Sequence, residues 1–264
     1  MIKTTLNTIL LFLAAALIPI GSFILPVYKI KNMPKLSSKD RVVSNIISGG
    51  VIYYIDSKLF FIYIGIFLLL EGLYYVFERT NIKTFDRILI STIATTAVGY
   101  LLMRGLVGTP SEFIQIMENI YKEYLSVDIA TLGTIMSYIK GHLLFIMFTY
   151  LLVINYLTYF ILKGKSYRKW DISYLWVIIY IGTFFMGKTL KIENFYITNL
   201  YDISSLIYVI YGVKVLYSMF RTKLKWRIYG KVLAILTACF FPIVIFLLGV
   251  LNSFKIIKIE IKRK

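Results

Sequence analysis

The chain has 264 residues, 59% of them hydrophobic and only 16% charged, with a mean hydropathy of +0.77. Soluble domains run near 45–50% apolar and about 25% charged, so this composition excludes an ordinary water-soluble globule. Thirty basic residues face 13 acidic ones, a formal net charge of +17; nucleic acid, anionic lipid or orientation in a membrane would each account for such an excess, and the position of the charges decides among them.

A bilayer core about 30 Å thick takes roughly 20 helical residues at 1.5 Å each. Helix is the expectation throughout, because lipid leaves no water to satisfy an exposed strand edge. The first apolar stretch, 6–28, opens like a secretory signal, with Lys3 ahead of it and Ala14-Ala15-Ala16 within it. Its basic residues cluster behind it instead, at Lys29, Lys31, Lys35, Lys39 and Arg41. That order is the reverse of a cleaved signal, so 6–28 reads as a retained first span. Residues 42–55 are short and interrupted by Gly49-Gly50, which suits an eighth span, a re-entrant element or a buried one. Residues 57–77 form the next span and carry Glu71; 87–103 form another.

The stretch Thr109-Pro110-Ser111-Glu112 has the form of a capping box with proline at the first helical position. Phe113, Ile116, Met117, Ile120, Tyr121 and Tyr124 then recur at helical spacing, opposite Glu112, Glu118, Lys122 and Glu123. An amphipathic helix is expected there, lying on the membrane or capping a cavity. Four more spans follow at 141–162, 174–187, 195–220 and 229–252. Cys239, the only cysteine, lies in the last; it excludes an intramolecular disulfide and a thiolate metal cluster, and reads as a small buried hydrophobe. Trp170, Trp176 and Trp226 fall near span ends, as in an interfacial belt, and Gly99, Gly182, Gly212 and Gly249 permit close helix approach.

Basic residues in the loops count the crossings. Eight crossings put 17 of them on one side and 7 on the other before the C-terminal tail, whereas seven crossings give no bias. The positive-inside rule therefore favours about eight spans, seven being the alternative, with both termini outside. The tail resists this count: Lys255, Lys258, Lys262, Arg263 and Lys264 add five basic residues to the outer side. Reporters after Lys225 and Lys264 that both fell in the cytoplasm would sink the eight-span count. Overall the expectation is an all-α, polytopic transmembrane helix bundle in one domain, with one interfacial helix. Orientation absorbs most of the +17, so nucleic acid is not an expected partner; the bilayer is.

From about Leu151 onward a series of features carries a resemblance. Ile161-Leu162-Lys163 closes a span, and a basic linker leads to Trp170 and a short span from near Ser173. Asn199 opens the next, which holds Tyr211-Gly212; a second basic linker precedes Pro242 and then Leu248-Gly249-Val250-Leu251. In this order the C-terminal half resembles the YybS-like family of bacterial membrane proteins, a domain of unknown function, with Asn252 standing where that family often carries an acid. It is similar, more remotely, to the substrate-capturing subunits of energy-coupling-factor vitamin transporters. The resemblance implies a multi-pass protein of the bacterial inner membrane with protein partners in a membrane complex.

An ionisable group at mid-bilayer costs roughly 2.5–3.5 kcal/mol on insertion scales, so each one invites a functional reading. Glu71, Asn155, Asn199, Asp202 and Lys214 are the candidate substrate-binding residues. Asp202 and Lys214 share a helix but, twelve residues apart, lie about 120° and 18 Å from each other. Lys214 is therefore expected to pair with Glu71 from another helix or to snorkel towards Arg221. Asn155 is expected to hydrogen-bond a neighbouring helix. His142 opens a span, and a single histidine makes no metal cage. No Walker loop, HExxH, GxGxxG or GxSxG is present, so no catalytic residue, metal or cofactor is expected. The function expected is small-solute binding or transport as a substrate-capture subunit; a scaffold recruiting partners through its basic loops is the alternative.

Overall fold

In the computed structural model, residues 1–124, 129–192, 194–223 and 229–255 are described, and all their regular structure is helical. The chain divides into two compact units, Met1–Ile82 with Asp86–Tyr167, and Lys83–Phe85 with Arg168–Lys264. Four helices among the described residues are long and apolar enough to cross a membrane, and a bent pair makes a fifth if it counts as one span.

The first unit begins with α1 (Ile2–Leu17). The expected span 6–28 does not continue as one helix. A residue before proline is pushed out of the helical region, and Ile18, ahead of Pro19, is extended at φ −127° and ψ 107°. A short 3-10 turn, Pro19–Phe23, then folds back onto α1, so closely that a Cβ at Gly21 would lie 3.0 Å from the Ala15 backbone. Helix α2 (Ile24–Asn32) returns along α1, pinned by Asn7 Nδ2 donating to Tyr28 Oη at 2.9 Å.

Helix α3 (Ser38–Ile55) is continuous through Gly49-Gly50, which do not interrupt it. Thr5 and Ser44 hydroxyls, 2.8 Å apart, tie it to α1. Asp56 ends it in an extended conformation and caps α4 (Ser57–Glu78), accepting from the Lys58 and Leu59 amides. Within α4, Tyr63–Leu68 is a π-helical segment. Helix α5 (Thr84–Leu106) follows, and Gly108, at φ +110°, turns the chain into α6 (Pro110–Tyr124).

The capping box forms: Thr109 N–H donates to Glu112 Oε2 at 2.5 Å, and Glu112 N–H to Thr109 Oγ1 at 3.3 Å. The apolar face of α6 is rotated from the expected one. Ile114 is buried with Phe113, Met117 and Tyr121 around it, while Ile116 and Ile120 are exposed; the Tyr124 side chain lies outside the described residues. The partner of this face is α7 (Ile129–Gly141), through Leu132 and Met136, a helix too weakly patterned to be expected from sequence. His142 then stands at the start of α8 (Leu143–Lys163), its ring stacked on Tyr138. Glu78 gathers the ends of three helices, 2.5 Å from Lys163 and 3.3 Å from Arg87.

The second unit contains α9 (Trp176–Thr189), α10 (Phe195–Lys223), α11 (Tyr229–Phe240) and α12 (Pro242–Ser253). Its centre is the crossing of α10 and α12 at two glycines. A Cβ on Gly212 would fall 2.0 Å from the Ile245 carbonyl oxygen, and one on Gly249 2.3 Å from that of Tyr208. The expected span 229–252 is broken at Phe241, again a residue before proline driven from the helical region, and α11 and α12 bend by 113°. Cys239 is exposed on α11 rather than buried, and Trp170 is buried rather than set in a belt; Trp226 lies outside the described residues.

Candidate functional site

The polar centre of the first unit is built around Lys29, which sequence counting places in a loop and the fold buries completely. Its ammonium donates to Asn45 Oδ1 at 3.1 Å and to Tyr63 Oη at 2.8 Å, and lies 4.7 Å from the Tyr63 ring centroid. Glu71 Oε2 is 2.9 Å away, an ion pair between side chains only 1% and 7% exposed. Apart from this ion pair, Oε2 accepts no hydrogen bond.

Two local features bring these residues together. The fold-back at Pro19–Phe23 lays α2 against α4. The π-helical segment then sets the phase of α4. At 100° per residue, Tyr63 and Glu71 stand about 80° apart on a regular helix; the extra residue accommodated by a π turn removes about 100°, so both face Lys29. Such segments occur often at functional sites.

Around the ion pair the hydrogen-bond accounting does not close. Besides Glu71 Oε2, the buried atoms Tyr75 Oη, Ser48 Oγ and Arg41 Nε have no hydrogen-bond partner. Buried polar groups are nearly always satisfied, and leaving one unmade costs about 1–3 kcal/mol. Arg41, Asn45 and Ser48 recur at i, i+4 and i+7 on α3, and Glu71 and Tyr75 at i and i+4 on α4. Tyr75 lies within electrostatic reach of both Glu71 and Arg41. Tyr75 Oη and Glu71 Oε2 are thus two neighbouring buried oxygens without a hydrogen bond, one able to donate and accept and the other to accept.

Beside this cluster, α3 and the first half of α4 enclose a groove of about 690 Å³. Val42, Asn45, Ile46, Gly49, Gly50 and Tyr53 form one wall; Phe60, Ile64 and Leu68 form the other. Asn45 belongs to both features, its Oδ1 held by Lys29.

The second unit has a polar core of another kind. Lys214 donates to the Trp170 carbonyl at 2.5 Å, and Tyr211 Oη donates to Asp171 Oδ1 at 2.5 Å while accepting from Asn252 Nδ2 at 2.7 Å. Lys83 completes the Asp171 shell at 3.6 Å and donates to the Ile172 carbonyl at 3.0 Å. This network is closed.

The sequence-expected residues thus separate. Glu71 and Asn155 belong to the first unit, Asn199, Asp202 and Lys214 to the second. Glu71 pairs with Lys29, not Lys214, and Lys214 neither snorkels towards Arg221 nor meets a carboxylate directly. Asn155 donates to Leu151 of its own helix at 3.1 Å rather than to a neighbour, and its Oδ1 is left without a partner. Asn199 likewise donates back, to Phe195 at 2.7 Å, and Asp202 is half-buried one turn further on. Lys29, Asn45, Tyr63, Tyr75 and Arg41 escaped the sequence reading. Pro19 is the available signal, because a proline within 6–28 announces a break, whereas Pro26 lies in the first turn of α2 and does not interrupt it. Among the described residues no cluster of side chains is arranged to hold a metal ion. Compared with protein-family models, curated proteins and solved structures, the chain matches none.

Proposed function

We propose that the protein is a multi-pass inner-membrane protein that captures a small polar solute between Glu71 and Tyr75, beside the buried Lys29 ammonium. The observation that carries this is that two neighbouring buried oxygens make no hydrogen bond: Tyr75 Oη, and Glu71 Oε2, which meets only the Lys29 ammonium. A solute donating to the carboxylate and accepting from the phenol completes both, and Lys29 supplies a fixed positive charge for an anionic group. The chain has no nucleotide-binding motif, so capture feeds a gradient-driven step or a partner subunit.

The two proline breaks support a topology of six crossings rather than eight. With α1–α2 and α11–α12 as hairpins that enter and leave on one face, α3, α4, α5, α8, α9 and α10 cross. Lys58, Arg104, Lys122, Lys140, Lys188 and Lys191 then lie outside, Lys29 and Lys214 are buried, and the remaining 22 of the 30 basic residues lie inside. This bias exceeds that of eight crossings and brings the basic tail to the cytoplasmic side.

The solute is tested by purifying the protein in a mild detergent and analysing co-purified small molecules by mass spectrometry. Glu71→Gln is expected to lose the retained solute and Lys214→Met to keep it. A folded Glu71→Gln protein with an unchanged solute profile would refute the reading.

A further inference from the structure

We infer that the groove between α3 and α4 binds one acyl chain of an anionic glycerophospholipid from the cytoplasmic leaflet, with Arg41 taking its phosphate. Residues 42, 45, 46, 49, 50 and 53 form an unbroken stripe at i, i+3, i+4, i+7, i+8 and i+11, and Phe60, Ile64 and Leu68 close the groove from α4. From Val42 to Tyr53 the helix rises about 16 Å, close to half of the roughly 30 Å hydrocarbon core. The groove is therefore as long as one leaflet is deep. Its volume of about 690 Å³ lies in the usual range for a bound organic molecule, and its walls are apolar apart from Asn45 and the Tyr53 hydroxyl.

The head of such a lipid is specified by charge. Arg41 lies one turn before Asn45 in the first turn of α3, with Lys39 and Asp40 beside it and Lys35 in the 3-10 turn that precedes the helix. Arg41 is half-buried and its Nε has no hydrogen-bond partner; it also lies within electrostatic reach of Tyr75, so it stands between the groove and the Glu71 centre. A phosphate there gains a charge-assisted hydrogen bond, and the groove below receives the chain. A zwitterionic lipid offers the same phosphate with a compensating cation, so an anionic headgroup is preferred on a surface this basic. The small residues Gly49 and Gly50 keep the groove open: a Cβ at Gly49 would meet the Phe60 ring at 3.3 Å, whereas at Gly50 it would meet nothing within 4 Å.

The test is native mass spectrometry of the full chain released from micelles containing equimolar phosphatidylglycerol and phosphatidylcholine of matched chains. The wild type is expected to retain one phosphatidylglycerol. Arg41→Gln should reduce its preference over phosphatidylcholine at least about fivefold, the effect of one basic contact to an anionic lipid. Gly50→Phe should reduce retention of both lipids, because the ring enters the groove where space is open and the fold is undisturbed. Glu71→Gln should leave lipid retention unchanged while abolishing solute capture, which separates the two proposals. Equal retention of both lipids, or retention indifferent to both variants, would overturn the inference. So would a change in oligomeric mass, without a change in lipid count, on Gly50→Phe, since the groove would then cover a second copy of the chain.

Discussion

Removing Lys29 should damage the protein more than removing Glu71, and removing both should restore much of the loss. Taking one partner from a buried ion pair costs about 3–5 kcal/mol because the other charge is left uncompensated, whereas replacing both with apolar side chains is often neutral or stabilising. The two ends of this pair are not equivalent. In Glu71→Leu the Lys29 ammonium keeps Asn45, Tyr63 and the Tyr63 ring. In Lys29→Met the Glu71 carboxylate loses its ion-pair partner and has no hydrogen bond to Oε2 to fall back on. Lys29→Met is thus expected near the upper end of the range and Glu71→Leu near the lower. At about 2–4 °C per kcal/mol for a domain of 150–250 residues, Lys29→Met lowers the unfolding midpoint by roughly 10–20 °C. Thermal unfolding in one detergent, followed for the wild type, both single variants and the double variant, gives the coupling energy. Additive losses in the double variant, or equal losses in the two singles, would refute the asymmetry and the pairing on which it rests.

Gly212→Ala places a Cβ against the Ile245 backbone and should destabilise by about 1–3 kcal/mol or more, while Gly182→Ala, with open space around it, should be neutral or gain about 0.5–1 kcal/mol; unfolding midpoints of the pair decide this. Tyr211→Phe removes the hydroxyl between Asp171 and Asn252 and should cost about 1–3 kcal/mol in the same assay, with no loss confirming that the network contributes nothing. Reporter fusions after Lys39, Lys165, Lys225 and Lys264 should all report the cytoplasm, and fusions after Lys58 and Lys191 the outside; an external Lys264 beside a cytoplasmic Lys225 would restore a crossing for 229–252.

What the sequence disclosed was local. The capping box at Thr109 and Glu112 needs three residues and closes as expected, and the long apolar helices α4, α5, α8 and α10 follow from hydropathy alone. Helix phase was not legible. Tyr63 and Glu71 share a face only because a π-helical segment lies between them, and no spacing rule written for 3.6 residues per turn places them together. Nor was the role of a charge: Lys29 sits in a basic run and counts as a loop residue until the break at Pro19 folds α2 inward. The two prolines were visible, but a hydropathy window averages over a break, so 6–28 and 229–252 read as spans. Asn155 and Asn199 are both buried and each donates to the carbonyl one turn back, so the bond from Asn155 stays within its own helix where sequence predicts one to a neighbour.

The difference between the two polar centres is the reason for assigning capture to the first. Both contain a buried lysine, and burial alone does not distinguish a site from a structural tie. In the second unit the Lys214 ammonium, the Tyr211 hydroxyl and the Asp171 carboxylate are bound to Trp170, Asn252 and Lys83, and adding a ligand would break contacts already made. In the first unit Lys29 is held by three neighbours, but Glu71 Oε2 and Tyr75 Oη each retain unused hydrogen-bonding capacity. A polar network with one side open is worse for folding than an apolar core, so such a centre is favoured only if something completes it. The same reasoning makes the first unit sensitive to what it binds: a solute that satisfies both oxygens stabilises the folded state by mass action, by about 2.7 kcal/mol at a hundredfold excess over its dissociation constant. Unfolding midpoints should therefore rise with the retained solute in the wild type and not in Glu71→Gln, and a rise of equal size in both would transfer the binding site away from this ion pair.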